Sequence, residues 1–77
     1  MMNDMRAVKG NFRLSRVQGR REIVSTFMGW DRAYLSYRLA SVQGWEYVEL
    51  VRVSDGCIMY HDGVKPDWLK EAQRAPL

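Results

Sequence analysis

Apolar and polar residues alternate along two stretches near the start of the chain, residues 12–17 and residues 23–27. Alternation with a period of two residues is typical of a half-buried strand. Gly19 and Arg20, between the stretches, fit the two-residue type II′ turn that joins antiparallel strands into a hairpin. This turn predicts three cross-strand pairs: Val17 with Glu22, Leu14 with Ser25, and Phe12 with Phe27. The hairpin face that we expect to meet the core then carries Phe12, Leu14, Ile23 and Phe27.

The apolar pattern becomes helical after this hairpin. Leu35, Leu39 and Val42 recur at i, i+4 and i+7, which predicts a surface helix packed through an apolar stripe about 100° wide. Asp31 is a candidate N-cap, because its carboxylate can accept a hydrogen bond from the first turn. Gly44 fits the left-handed residue that commonly ends a helix. Trp45 follows at the position that packs back onto the last turn, near Leu39 and Ala40.

A second hairpin is predicted by the residues after the helix. From Glu46 the sequence is rich in Val, Tyr and Leu, and Asp55-Gly56 is a strong signal for a two-residue turn. We therefore expect strands over residues 46–53 and 57–61, with Val53 paired to Ile58 and Val51 to Tyr60. One face of this hairpin then carries Tyr47, Val51, Val53, Ile58 and Tyr60. The other face has mixed polarity and carries Val48, Leu50, Arg52, Ser54, Cys57, Met59 and His61.

Pro66 and Asp67 begin a run of good helix formers, so residues 66–73 predict a short C-terminal helix. The fold class is therefore α+β, ββαββα: two hairpins in a mainly antiparallel sheet, with the central helix packed on one face. The 77 residues form a single domain, with partial disorder over residues 1–10 and a tail at residues 74–77. The order of the strands stays open, as does whether Trp68 and the terminal helix cover the second sheet face.

The charge of the chain is unevenly distributed. The net charge is +3, but residues 1–21 contain six of the twelve basic residues and one of the nine acidic ones, so they carry +5 and the remainder carries −2. No apolar run approaches the roughly 18 residues that a membrane span requires. The first ten residues are polar and mixed, unlike a secretory signal. We expect a cytoplasmic protein that does not enter membranes.

Candidate catalytic and metal-ligating residues are few. One Cys and one His cannot complete a tetrahedral zinc site, and Cys57 and His61 lie four residues apart, roughly 13 Å along a strand. A thiol at that distance has no base to activate it. No Gly-rich loop that could hold a phosphate precedes a helix. We expect no enzyme activity, no catalytic residue, no cofactor and no metal.

Two kinds of partner fit the remaining residues. Large aromatic residues exceed the needs of a small core, and Tyr, Trp and Arg dominate protein interfaces. Protein binding is the leading interpretation, through the helix flank and the second sheet face: Tyr34, Tyr37, Arg38, Val48, Leu50 and Met59. The alternative is nucleic-acid binding by the basic hairpin, since cationic hairpins can follow a phosphate backbone: Lys9, Arg13, Arg20 and Arg21. A structural homo-oligomer, for example a homodimer, is the third alternative.

Residues 39–48, with the sequence LASVQGWEYV, carry a resemblance. The passage from a helix through Gly44, Trp45 and Glu46 into a strand is similar to the hallmark of small uncharacterised bacterial and phage α+β domains. More distantly, residues 31–60 resemble small phage proteins that inhibit host RNA polymerase. The resemblance implies a regulator or inhibitor of phage or mobile-element type that binds a host macromolecular complex.

Overall fold

Six elements follow one another in the predicted order in the computed structural model, which describes residues 11–74 and the side chains of residues 11–71. The α+β, ββαββα fold class is confirmed. The predictions for residues 1–10 and for the end of the tail lie outside the described residues. The elements are β1 (Phe12–Gln18), β2 (Arg21–Phe27), α1 (Trp30–Ser41), β3 (Tyr47–Arg52), β4 (Cys57–Gly63) and α2 (Asp67–Arg74).

The first hairpin has the predicted register. Phe12 pairs with Phe27, Leu14 with Ser25, and Val17 with Glu22. Gly19 has φ of 64°, as the first central residue of a type II′ turn requires. A two-residue turn leaves no freedom to shift the strands, so this register follows from the position of one glycine.

The four strands form one antiparallel sheet in the order β2-β1-β3-β4. The two hairpins join through β1 and β3, where Leu14 pairs with Leu50. Both side chains are fully buried beneath α1. Complete burial of a leucine side chain contributes about 1.5–3 kcal/mol, so this central pair anchors both hairpins to one core. The edges of the sheet are β2 and β4.

Helix α1 packs through a different face from the predicted one. Leu35, Leu39 and Val42 are 67%, 60% and 78% exposed, while the buried residues of the helix are Ala33, Tyr37 and Ala40. The prediction of an apolar stripe facing the core was wrong. Two alanines let the helix backbone approach the sheet, and the aromatic rings of Trp30, Tyr34 and Tyr37 fill the space around them.

The ends of α1 agree only in part with their predicted capping. The helix begins at Trp30 after Gly29, which makes no side-chain cap hydrogen bond, so Asp31 lies in the first turn and is not the N-cap. There its negative charge still complements the helix dipole. At the other end Gly44 has φ of 88°, the left-handed conformation that was predicted. Trp45 packs against the cluster of buried residues that includes Ala40.

The second hairpin differs from its predicted register. Val51 pairs with Ile58, Arg52 with Cys57, and Leu50 with Tyr60, which leaves Met59 in a β-bulge. The connection is a wider turn, in which Gly56 N–H donates to the Arg52 carbonyl at 2.8 Å. Its cause is Asp55, whose carboxylate accepts hydrogen bonds from the Arg52 guanidinium at 2.7 and 3.0 Å and from Cys57 N–H at 3.1 Å. These bonds favour the wider turn over the two-residue one.

The bulge turns Tyr60 towards α1. Its ring centroid lies 6.0, 5.3 and 5.6 Å from those of Trp30, Tyr34 and Tyr37. The surplus of aromatic residues seen in the sequence is therefore largely absorbed by one cluster between the start of α1 and β4. Pairs of rings at these distances add about 0.5–1.5 kcal/mol each beyond the area that they bury.

The first hairpin presents its predicted face to α1, with Leu14 buried and Phe12 and Phe27 packed beside it, whereas the two faces of the second hairpin are exchanged relative to the prediction. Val48 and Leu50 face α1 and are buried, so the expectation that they lie on a second, uncovered face was wrong. Helix α2 covers one end of the opposite face, where buried Leu69 packs against Val17 and Tyr47. Trp68 packs there too, and its indole N–H donates to the Gly19 carbonyl at 3.2 Å. The rest of this face, which we call the open face, lies beyond α2.

We predict that two substitutions in α1 change the free energy of unfolding to different extents. Leu35→Lys should change the free energy of unfolding by no more than about 0.5 kcal/mol, because the side chain is exposed. Ala33→Leu should cost about 1–3 kcal/mol, because the added atoms overpack a closed helix–sheet contact. Urea unfolding measures both. A larger loss for Leu35→Lys than for Ala33→Leu would contradict this orientation of the helix.

We also predict an acid-dependent loss of stability in the second hairpin. The hydrogen bond from Arg52, followed by that from Cys57 N–H, lowers the pKa of Asp55 from 3.8 to about 2. A carboxyl whose pKa is lower in the folded chain stabilises the fold above its unfolded pKa, and this contribution disappears as the pH falls from about 4 through about 2. Carboxyl NMR titration should show the low midpoint. Arg52→Gln should raise it towards 3.8, while Arg20→Gln should leave it unchanged.

Candidate functional site

The residues predicted to bind protein do not form one surface. Tyr37, Val48 and Leu50 are buried in the core. Tyr34 and Met59 are half-buried, and Arg38 is exposed. Tyr37, Val48 and Leu50 meet in the core, with Tyr34 packed against them. At the surface the structure brings together Tyr34 and Arg38, whose guanidinium carbon lies 5.7 Å from the centre of the tyrosine ring.

The basic residues predicted to bind nucleic acid are also separated. Arg20 and Arg21 are exposed at the first turn, and the Arg20 guanidinium carbon lies 5.7 Å from the centre of a Trp68 ring. Arg13 lies five residues before the end of β1, roughly 17 Å along the strand, and borders the open face. Lys9 lies outside the described residues. The described cations therefore do not converge on one point.

The sequence reasoning missed the surface around β2. Strand β2 pairs with β1 on one side, and nothing in the described part of the chain pairs with its other side. Its seven residues are regular, whereas β4, at the opposite edge, contains the bulge at Met59. Native edge strands are usually protected by bulges, prolines or charged side chains. β2 has no bulge and no proline, and its two charged residues, Arg21 and Glu22, lie at one end, so residues 23–27 of its sequence, REIVSTF, are uncharged.

The outer edge of β2 presents three residues with backbone groups available for pairing. In an antiparallel ladder, alternate residues bond to the neighbouring strand. Because Gln18 and Arg21 close the two-residue turn, the residues of β2 that bond to β1 are 21, 23, 25 and 27. Glu22, Val24 and Thr26 therefore direct their N–H and C=O groups away from the sheet.

Apolar side chains flank this edge on both faces. On the α1 side, a groove of about 130 Å³ runs between the helix and β2. Its lining is apolar at Leu14, Phe27, Leu39 and Ala40 and polar at Arg16, Ser25, Ser36 and Gln43. Ile23 is exposed on the same side of β2, as the pairing of its neighbours indicates. On the open face, Val24 is 48% exposed. An extended chain beside β2 would thus find apolar contacts above and below it.

The open face contains a cleft of about 480 Å³ with a polar centre. Glu49 is only 1% exposed there; its carboxylate accepts a hydrogen bond from the Tyr47 hydroxyl at 2.9 Å and lies 3.3 Å from Lys65 Nζ. Burial, and then the bond to Glu49, raises the pKa of Tyr47. Nearer to β2, the Ser15 hydroxyl donates to the Glu22 carboxylate. The contacts of Glu49 with Tyr47 and Lys65 make it part of a structural ion pair.

Arg13 is the cation of this cleft with the fewest constraints. It is half-buried beside Val24, Val51 and Ile58. Within residues 11–71 its guanidinium makes no hydrogen bond or ion pair. A carboxylate brought to the rim of the open face near Arg13 would therefore find a charge partner.

The described residues contain no cluster of three or more His, Cys, Asp and Glu side chains that could bind a metal. Cys57 and His61 are both exposed and lie on β4. Neither of the two helices, as far as they are described, has the length and apolar character needed to cross a membrane.

Comparisons with family models, with characterised proteins and with solved structures found no match to this chain. The geometry of the surfaces described above is therefore the basis for a functional proposal.

We predict that Glu49 and Lys65 are energetically coupled. Lys65→Met should cost about 1–3 kcal/mol, because a buried carboxylate loses a charged partner. The double variant Glu49→Gln/Lys65→Met should recover part of that loss, because no buried charge then remains at the pair. A double-mutant cycle of urea unfolding at pH 7 measures the coupling. Additive effects of the two substitutions would contradict the ion pair.

Proposed function

We propose that this protein is a non-enzymatic binding module that takes up an extended segment of a partner protein along the outer edge of β2. The observation that carries the proposal is the regular edge of β2, which no strand within residues 11–74 pairs with and which has exposed apolar side chains on both of its faces. Strand addition to a sheet edge is a common mode of peptide recognition, in which backbone hydrogen bonds supply affinity.

The outward groups of Glu22, Val24 and Thr26 would bond to every second residue of the incoming segment. Each such bond contributes about 0.5–1.5 kcal/mol net, since it replaces bonds to water. The remaining affinity comes from side chains of the segment, which alternate between the two faces of the extended sheet. Those on the α1 side meet Phe27 and Leu39, which line the groove, and those on the open face meet Val24.

The two faces suggest the composition of the partner segment. The groove beside α1 holds about 130 Å³, the size of one medium apolar side chain such as valine or leucine. The open face is wider and places Arg13 one strand in from the edge, beside Thr26. An acidic residue of the segment is therefore favoured opposite Thr26 and disfavoured opposite Glu22. A segment with apolar residues on the α1 side and an acidic residue opposite Thr26 fits both faces.

A regulatory role is consistent with this mode of binding. A single edge strand buries little area, which is typical of transient complexes. The more distant resemblance of residues 31–60 to small phage proteins that inhibit host RNA polymerase supports a host macromolecular complex as the partner. Nucleic-acid binding through Arg20 and Arg21 remains the alternative, and it predicts contacts at the turn instead of along β2.

The proposal is tested with linear peptides selected from a random library on the immobilised protein. The selected peptides should shift the NMR amide signals of Glu22, Val24 and Thr26. Val24→Pro should weaken binding at least about tenfold, because it removes an outward N–H without removing a bond to β1. Val24→Thr keeps that N–H and the branched shape, and it serves as the matched control with binding near that of the parent chain.

Peptides that bind Val24→Pro as tightly as the parent would contradict the proposal, as would a selection that yields no binder. Circular dichroism shows whether Val24→Pro keeps its fold. An oligonucleotide titration should leave the NMR amide signals of residues 22–27 of β2 unchanged. Saturable shifts at Arg20 and Arg21 that weaken steeply with salt would instead favour the nucleic-acid alternative.

A further inference from the structure

We infer that the outer edge of β2 pairs with β2 of a second copy of the chain, antiparallel, about a two-fold axis at Val24. The pairing would join two four-stranded sheets into one of eight strands. This inference rests on the proposed function in so far as both use the same edge. It names a particular occupant, whose register the structure specifies.

The register follows from the outward backbone groups of β2. An axis at Val24 sets this residue opposite its copy and sets Glu22 opposite Thr26 of the second copy. All three outward residues are then bonded, with about six hydrogen bonds between the chains, two for each pair. The full length of β2, Arg21–Phe27, overlaps with that of the second copy.

An axis one residue away, at Ile23 or Ser25, would leave one of the three outward residues opposite a position outside β2. Registers with the axis two residues away are poorer still. An axis at Glu22 would set two carboxylates opposite each other, which is destabilising, and would leave most of β2 unpaired. An axis at Thr26 would require Met28 to continue the strand, but β2 ends at Phe27 and the Met28 carbonyl already accepts a bond from the Asn11 side chain. The axis at Val24 avoids these problems.

Charge complementarity supports the same register. On the open face, Arg13 lies beside Thr26 of its own chain, and Thr26 would lie beside Glu22 of the second copy. The α-carbons of Glu22 and the second copy's Arg13 are then two strand spacings apart, roughly 10 Å, which their side chains can bridge over the small threonine. The Arg13 guanidinium has no ion pair among the described residues. The dimer would supply one on each side of the axis.

Apolar surface supports it as well. Val24, which is half-exposed in one copy, would contact its own symmetry mate at the axis. Strand β4 offers no comparable edge, because its bulge interrupts the row of outward groups. One paired edge is a small interface, so the dimer should dissociate on dilution and release β2 for a partner segment.

Cysteine cross-linking tests the register. In a Cys57→Ser background, which removes the exposed native thiol, Val24→Cys should form an intermolecular disulfide in mild oxidant. Its two α-carbons would lie about 5.5 Å apart, within the range that a disulfide spans. Thr26→Cys is the matched control, because its two copies would lie roughly 14 Å apart along the strands. The dimer yield should be at least tenfold higher for Val24→Cys.

A mixture of Glu22→Cys and Thr26→Cys chains should give the mixed dimer, since these positions face each other across the axis. Equal cross-linking of Val24→Cys and Thr26→Cys, or absence of the mixed dimer, would overturn the inference. Sedimentation of the parent chain should show reversible dimers that Val24→Pro abolishes. Selected peptides that bind β2 without register-specific cross-linking would leave the proposed function standing and reject the dimer. Register-specific cross-linking without peptide binding would support the dimer and reject the proposed function.

Discussion

The close packing of α1 on the two central strands determines which surfaces of the molecule are covered. Ala33 and Ala40 present only methyl groups to the sheet, so the helix lies close to Leu14 and Leu50. Tyr37 occupies the space between them, and the rings of Tyr34 and Tyr60 extend the contact over β4. Because the helix lies over β1 and β3 in the middle of the sheet, most side chains of β2, at the edge, stay exposed.

The opposite face shows how a small sheet can be covered by two unequal helices. Helix α2 closes one end through Leu69, which packs on Val17 and Tyr47. Further along, a polar arrangement replaces apolar packing, with Glu49 held by Tyr47 and Lys65. Burial of a carboxylate costs free energy unless its partners are well placed. The polar centre therefore fixes β3 and the segment before α2 in one arrangement, and the remaining surface stays open next to β2.

The parts of the fold that could be predicted from the sequence depend on local interactions. Gly19 determines the register of the first hairpin, and Gly44 marks the end of the region around α1, because each requires a positive φ. The second turn could not be predicted from Asp55-Gly56 alone, since the bonds from Arg52 and Cys57 to the Asp55 side chain favour a wider turn. The wider turn by itself would set Met59 opposite Leu50; the bulge at Met59 sets Tyr60 there instead, so that Tyr60 meets α1.

The choice of helix face and the candidate site could not be predicted for a related reason. A stripe of leucine and valine predicts burial only when the opposite stripe is polar, and α1 has Ala33, Tyr37 and Ala40 there. Which of the two stripes faces the sheet depends on the aromatic partner Tyr60, which is distant in sequence. Exposure of β2 depends in turn on the strand order, since only an edge strand leaves backbone groups unpaired. The sequence of β2 indicates an open edge only once the strand order shows that β2 lies at the edge of the sheet.

The contrast between the two edges also limits how far the sheet can extend. Pairing about a two-fold axis uses the same edge of each copy, so it closes after two chains. The outer edges of such a dimer would both be β4, whose bulge at Met59 breaks the row of backbone groups that another strand would need. A regular β4 would instead allow chains to add without limit, the arrangement from which fibres form. With a bulge in β4 and none in β2, strand addition would be open at β2 and hindered at β4, so the proposed pairing would end after two chains.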